Sequence, residues 1–149
     1  MAMQSNGSTI YLVSCVSQKR SQLCAARDLY ISDWFIKARR YAESSMCPWY
    51  ILSAEYGLVP PEQIIAPYER TLNAMRVMDR RLWADRVSRK ILEAVPDLKQ
   101  VVFLAGKRYR ELLIHHLSDR DVKVSIPMER LRIGEQLSWL MQHTPLSVD

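Results

Sequence analysis

The chain lacks any apolar run near the roughly 18 residues that a membrane-spanning helix needs, so a transmembrane segment is excluded as a sequence expectation and no membrane partner is expected. The first residues, MAMQSNGS, have no apolar core, which argues against a secretory signal; residues 1–8 are expected to be a disordered tail, with a single domain over 9–149. Cysteine is scarce: Cys15, Cys24 and Cys47 are odd in number and irregular in spacing. That pattern suits free thiols in a reducing cytoplasm better than a disulfide framework. There is no CxxC pair, and His115, His116 and His143 complete no zinc set with the cysteines, so neither metal nor cofactor is expected. A glycine-rich phosphate cradle is missing too, which rules out a P-loop. No Ser–His–Asp order stands out, and Cys15 has no histidine partner in view.

What remains is an ordinary globular composition. Of 149 residues, 48% are hydrophobic and 25% charged, with a formal net charge of +5. One domain is the natural reading at this length. A moderate basic excess is compatible with phosphate-bearing partners.

Hydrophobic periodicity predicts alternating strands and helices. TIYLV (9–13) reads as a first strand, Trp49–Leu52 as a second, Gln100–Ala105 as a third and Val122–Ile126 as a fourth. Between them, SDWFIKARRYAES reads as a helix capped by Ser32, whose hydroxyl can accept an orphan N–H. A longer helix is predicted from Asp79 to Pro96, with Met78 and Trp83 at staple positions and Trp83, Val87, Ile91 and Ala94 on its apolar face. The run Arg76, Arg80, Arg81, Arg86 and Arg89 reads as a solvated face. A helix after Gly106 carries Tyr109, Leu112, Leu113, His116 and Leu117 on one face, and Ile133, Leu137, Leu140 and Met141 mark the last helix. The expected fold is therefore α/β: a three-layer, mostly parallel four-stranded sheet with helices on both faces, uracil-DNA-glycosylase-like or Rossmann-like.

In such sheets ligands bind outside the carboxyl ends of the strands, where strand order reverses. Four loops then matter. The first, SCVSQKR, offers Ser14, Cys15, Ser17, Lys19 and Arg20, a set of hydroxyls, a thiol and cations able to hold a phosphate with backbone N–H groups. The second, Ser53–Leu72, is expected to be a long ordered loop stiffened by Pro60, Pro61 and Pro67, with Gly57 at positive φ. It carries Ser53, Tyr56 and Tyr68, and two carboxylates, Glu55 and Glu69, as candidate acid/base groups or base-edge readers. In the third, AGKRYR, Gly106 and Lys107 are candidate ligand contacts, while Tyr109 is read as part of the helix's apolar face. The fourth, 127–134, leads into Gly134 and Gln136, which are also candidate ligand contacts.

The stretch ILSAEYGLVPPEQIIAPYERTL resembles a signature of the peroxide-stress protein family YaaA. That family has a similar serine–x–x–tyrosine–glycine strand end, a proline, and a later proline–tyrosine turn, matched here by Ser53, Tyr56, Gly57, Pro61, Pro67 and Tyr68. Over residues 9–142 the chain also resembles short bacterial and phage domains of unknown function related to YaaA. SCVSQKR is similar to their first strand end. IGEQLSWL, with Gly134, Gln136, Leu137, Trp139 and Leu140, is similar to their closing helix. The resemblance implies a nucleobase, nucleotide or nucleic acid as ligand class, because related α/β domains in archaeosine-modification enzymes look similar to uracil-DNA glycosylases. The expected function is nucleic-acid or nucleotide binding, with action on a base or its glycosidic bond as the enzymatic form. The alternatives are a non-catalytic DNA-binding or stress/phage-defence accessory module, and a small-molecule nucleoside transferase or hydrolase.

Overall fold

A computed structural model describes residues 8–145; residues 1–7 of the expected tail, and 146–149, lie outside it. The elements in chain order are β1 (Ser8–Ser14), β2 (Cys24–Ala25), α1 (Ala26–Leu29), α2 (Asp33–Ser44), β3 (Trp49–Ser53), β4 (Gly57–Val59) and β5 (Ile64–Ile65). They continue with a 3-10 turn (Leu72–Ala74), α3 (Val77–Ala94), β6 (Leu98–Leu104), α4 (Lys107–Ser118), β7 (Lys123–Ser125) and α5 (Ile133–His143). Ser8 belongs to β1 rather than to a tail, and its hydroxyl donates to the Asp97 carboxylate.

The main sheet has five strands in the order β4-β3-β1-β6-β7. β1, β3, β6 and β7 run parallel, and β4 is antiparallel to β3. The four expected strands are present; the fifth comes from the segment read as a loop. Strand β1 is central and buried, with Ile10, Leu12 and Val13 fully covered. A strand buried on both faces must be apolar almost throughout, which is why TIYLV was legible. Helices α2 and α5 pack against each other, as do α3 and α4. Right-handed crossovers place α2 on one face and α3 and α4 on the other, and α5 joins the first face by packing on α2. Edge-to-face contacts from Tyr11 to Tyr41 and from Tyr41 to Trp139 tie the β1–α2–α5 side together.

The segment after β3 is shaped by local chemistry. Ser53 pairs with Gly57 across the β3–β4 hairpin, leaving a three-residue loop. Gly57 has φ 77, the left-handed geometry that such a loop needs and that glycine adopts without steric cost. The Ser53 hydroxyl accepts the Glu55 and Tyr56 N–H groups at 3.2 and 2.9 Å. Ile64–Ile65 then pairs with Cys24–Ala25 as a two-stranded ribbon. The expected irregular loop is therefore an edge strand, a ribbon strand and only then an extended wall, residues 66–71.

Two helix expectations change. Helix α3 begins at Val77, not Asp79, because Arg76 is extended and Val77 and Met78 can sit in the first turn without burial. Met78 is 65% exposed, so it forms no staple with Trp83. Arg80, read as solvated, is buried and donates to the Met75 carbonyl at 2.9 Å. In α5 the covered side is Leu140 with Leu137 and Gln136, while Ile133 and Met141 are exposed. The Ser32 cap is as expected, its hydroxyl accepting the Phe35 N–H at 3.1 Å.

Candidate functional site

The chain leaves β1 toward β3 on one side and later crosses to β6 on the other. Strand order therefore reverses between β1 and β6, and a crevice is expected outside their carboxyl ends. A cleft of about 520 Å³ lies there. Its first side is the loop after β1, with Cys15, Val16, Ser17 and Lys19. Its second is the extended wall and the turn that follows, with Tyr68, Glu69, Arg70, Thr71 and Asn73. Tyr109, in the first turn of α4, closes it.

Two hydroxyl networks hold these sides in place. In the first, Ser53 donates to the Tyr68 hydroxyl at 2.9 Å, and the Tyr68 and Tyr30 hydroxyls share a 2.6 Å bond. This ties the wall to the end of β3 and to the segment before α2. In the second, the Cys15 thiol donates to the Tyr109 hydroxyl at 3.4 Å, which also accepts the Leu72 N–H at 3.3 Å and lies 3.4 Å from the Thr71 hydroxyl. Tyr109 itself leans edge-on against Trp83, whose Nε1 donates to the Ser53 carbonyl at 2.9 Å. Core packing thus sets the position of the cleft.

Cations frame the opening. The Lys19 ammonium lies 4.5 Å from the Tyr68 ring centroid and 5.9 Å from that of Tyr30. Such contacts hold a lysine in place without neutralising it. Arg70 lies 3.8 Å from the Glu55 carboxylate, while Glu69 has no ion pair among the described residues.

Burial pushes all three tyrosine hydroxyls above the ordinary phenol range, with Cys15 adding to each. They are neutral hydrogen-bonding groups at any physiological pH, not bases. Tyr109 is pushed up to about 12 from 10.0. The unfolded chain loses this proton near pH 10 while the folded chain keeps it. The stabilising contribution is therefore complete below pH 10 and is lost between 10 and about 12. Stability is expected to fall as pH rises across that window, with the raised Tyr30 and Tyr68 hydroxyls acting in the same direction. Denaturant melts at a series of alkaline pH values check it, together with a fraction of tyrosinate absorbance that develops only on unfolding. Full tyrosinate absorbance in the folded protein would contradict it.

Of the residues expected from sequence, the structure brings Cys15, Ser17, Lys19, Tyr68 and Glu69 directly to the cleft. Ser14 and Ser53 are buried strand ends beneath it. Glu55 reaches its margin through Arg70. Tyr56, 41% exposed, stands edge-to-face with Tyr68 and donates to the Ala66 carbonyl at 3.3 Å. Gly57 acts on the hairpin, and Pro67 is an exposed residue of the wall.

The others lie elsewhere. Arg20 lines a separate hollow and donates to the Asp28 carbonyl at 2.8 Å. Lys107 is exposed on the first turn of α4 and does not line the cleft. Gly106 caps that helix and borders a small gap beside Trp34 and Gln136. Gln136 clamps α5 to α2, accepting from Trp34 Nε1 at 2.8 Å and donating to the Leu131 carbonyl at 2.9 Å. Gly134 lies by a surface depression on α5. Three strand-end turns converge, then, and the fourth does not.

Sequence reasoning missed Arg70, Thr71, Asn73 and Tyr109. Arg70 and Thr71 directly follow Tyr68 and Glu69, so extending the motif would have found them. Tyr109 has helical spacing to Leu112 and Leu113, which signals core. Its place in the first turn after β6 also put it at the strand-order reversal.

A profile described as "Family of unknown function (DUF6884)" matches residues 10–142. The chain belongs to this DUF6884 family. A relative, "Uncharacterized protein YfjM" of Bacillus subtilis (strain 168), is 31% identical over 90 residues, 59% of each chain. Among solved structures, "Crystal structure of AF0587, a protein of unknown function" has a TM-score of 0.56 at 19% identity. It covers 97% of this DUF6884 chain and 47% of that one. The similarity thus spans 59% of the Bacillus protein and about half of the solved structure, and the latter likeness supports the α/β fold alone. Among the described residues no helix is long and apolar enough to cross a membrane. No cluster of three or more His, Cys, Asp or Glu able to hold a metal occurs among them either.

Proposed function

We propose that the cleft binds a nucleotide unit, in nucleic acid or free, at the carboxyl ends of β1 and β6. The observation that carries this reading is the pairing of two cations, Lys19 and Arg70, with a row of neutral hydroxyls at the strand-order reversal. Lys19 and Arg70 meet phosphate oxygens. Ser17, Thr71, Asn73 and the Tyr109 hydroxyl read sugar or base edges. Lys19 already covers a face of Tyr68, so the open aromatic surface is Tyr56 at the rim. Base stacking on such a ring contributes ~1–3 kcal/mol.

The resemblance of the Ser53–Tyr68 motif to YaaA points the same way, as does a uracil-DNA-glycosylase-like reading of the sheet. If the domain acts on a base or its glycosidic bond, Glu69 is the carboxylate placed for acid/base work, and Glu55 is engaged with Arg70. The test is a set of modified and unmodified single-stranded oligonucleotides, scored for binding and for base release. Affinity is expected to fall roughly tenfold across a fourfold rise in salt. Glu69→Gln is expected to spare binding and to abolish any base release. Absence of binding to nucleotides and oligonucleotides alike would refute the reading.

A further inference from the structure

A second hollow, about 270 Å³, lies beside the cleft and takes no part in it. Four arginines from three stretches of chain line it: Arg20 after β1, Arg27 on α1, and Arg39 and Arg40 on α2. They face two carboxylates, Asp28 and Glu43, an excess of two positive charges. The acids fix Arg39, and Asp28 also lies 3.9 Å from the Arg27 Nε. The Arg39 Nη1 donates to Asp28 at 3.1 Å and to the Arg27 carbonyl at 3.0 Å, and its Nε donates to Glu43 at 3.0 Å. Among the described residues Arg20 is oriented through its Nε, which donates to the Asp28 carbonyl. Arg40 is exposed and has no ion pair among the described residues. Preformed guanidinium groups with spare N–H donors are the side chains best matched to phosphate oxygens. At ~30 Å³ per water the hollow has room for a phosphoryl group.

The two hollows adjoin through one β-bridge, Lys19 with Tyr30. In extended chain successive side chains point to opposite sides, so Lys19 serves the cleft and Arg20 the second hollow. Tyr30 lines the arginine hollow while its hydroxyl is bonded to Tyr68 in the cleft wall.

We infer that the arginine hollow is a phosphate subsite for the backbone of a single-stranded nucleic acid whose adjoining nucleotide fills the cleft. This rests on the nucleotide reading of the cleft and narrows it from a free nucleotide to a polymer. The test compares a labelled oligothymidylate of about ten nucleotides with thymidine monophosphate, in the wild type, in Arg40→Glu and in the double variant Arg27→Ala with Arg40→Ala. Circular dichroism melts confirm that each variant folds.

Both variants are expected to bind the oligonucleotide about tenfold or more weakly. Their log–log salt slope should flatten by about 0.7 for each phosphate that is no longer neutralised, while monophosphate binding stays unchanged. Unchanged oligonucleotide affinity and slope in both variants would overturn the inference. If the wild type binds neither probe, the reading of the cleft has failed. Pyrophosphate then decides the hollow alone: binding that Arg40→Glu removes sustains a phosphate subsite, and no binding overturns it.

Discussion

Trp83→Ala is expected to lose about 5 kcal/mol of folding free energy. The indole is 2% exposed, and truncating a buried tryptophan costs ~3–5 kcal/mol through forfeited transfer energy and the cavity left behind. Its Nε1 also satisfies the buried Ser53 carbonyl, and an unsatisfied buried acceptor adds ~1–3 kcal/mol. Domains of this size have roughly 5–15 kcal/mol in total, so the variant should be barely folded. Trp83→Phe keeps most of the ring and removes only the donor. It should cost about 2 kcal/mol and loosen Tyr109, which leans on the indole. Urea melts of both variants measure this. A Trp83→Ala loss under about 2 kcal/mol would mean that the indole does not organise the strand end beneath the cleft.

Lys19→Glu is expected to lower oligonucleotide affinity about a hundredfold, or about 3 kcal/mol. The change removes a charge-assisted hydrogen bond worth roughly 1.5–3 kcal/mol and places a repelling carboxylate where the phosphate sits. Stability should move little, because among the described residues the side-chain interactions given up are those with the Tyr68 and Tyr30 rings and a 3.4 Å bond to the Ser17 carbonyl. Lys19→Arg should restore most of the affinity. Fluorescence anisotropy at fixed, low salt makes the comparison. Affinity equal to wild type in the glutamate variant would remove Lys19 from the binding surface.

The central strands were legible in the sequence because their burial on both faces forces apolar runs, as in TIYLV and QVVFLA. Helices α2 and α4 were legible through Ser32, Gly106 and their apolar spacing. The edge strand β4 and the β2–β5 ribbon were not. Each is two or three residues long, too short for any periodicity, and each is specified by its pairing partner rather than by its own pattern. Pro60, Pro61 and Pro67 pointed to an irregular loop from Ser53 to Leu72, whereas a serine-capped hairpin orders its start through Val59 and a ribbon pairs Ile64–Ile65.

At the site, the contribution of the loop after β1 followed from strand polarity alone. The departure of Lys107 and Gln136 from the cleft did not. Lys107 begins a helix and is exposed to solvent, and Gln136 is engaged by Trp34 and the Leu131 carbonyl. Arg20 shows the same limit. It adjoins Lys19 and carries the same charge, yet the β-bridge from Lys19 to Tyr30 turns the two side chains into different hollows.

The most direct measurement is an amide chemical-shift map of the wild-type protein titrated with oligothymidylate. The account predicts saturable shifts at Cys15, Ser17, Lys19, Tyr68, Thr71 and Tyr109, with Gly134 and Lys123 unmoved. Saturable shifts confined to α5 or to β7, with the six cleft positions silent, would contradict it.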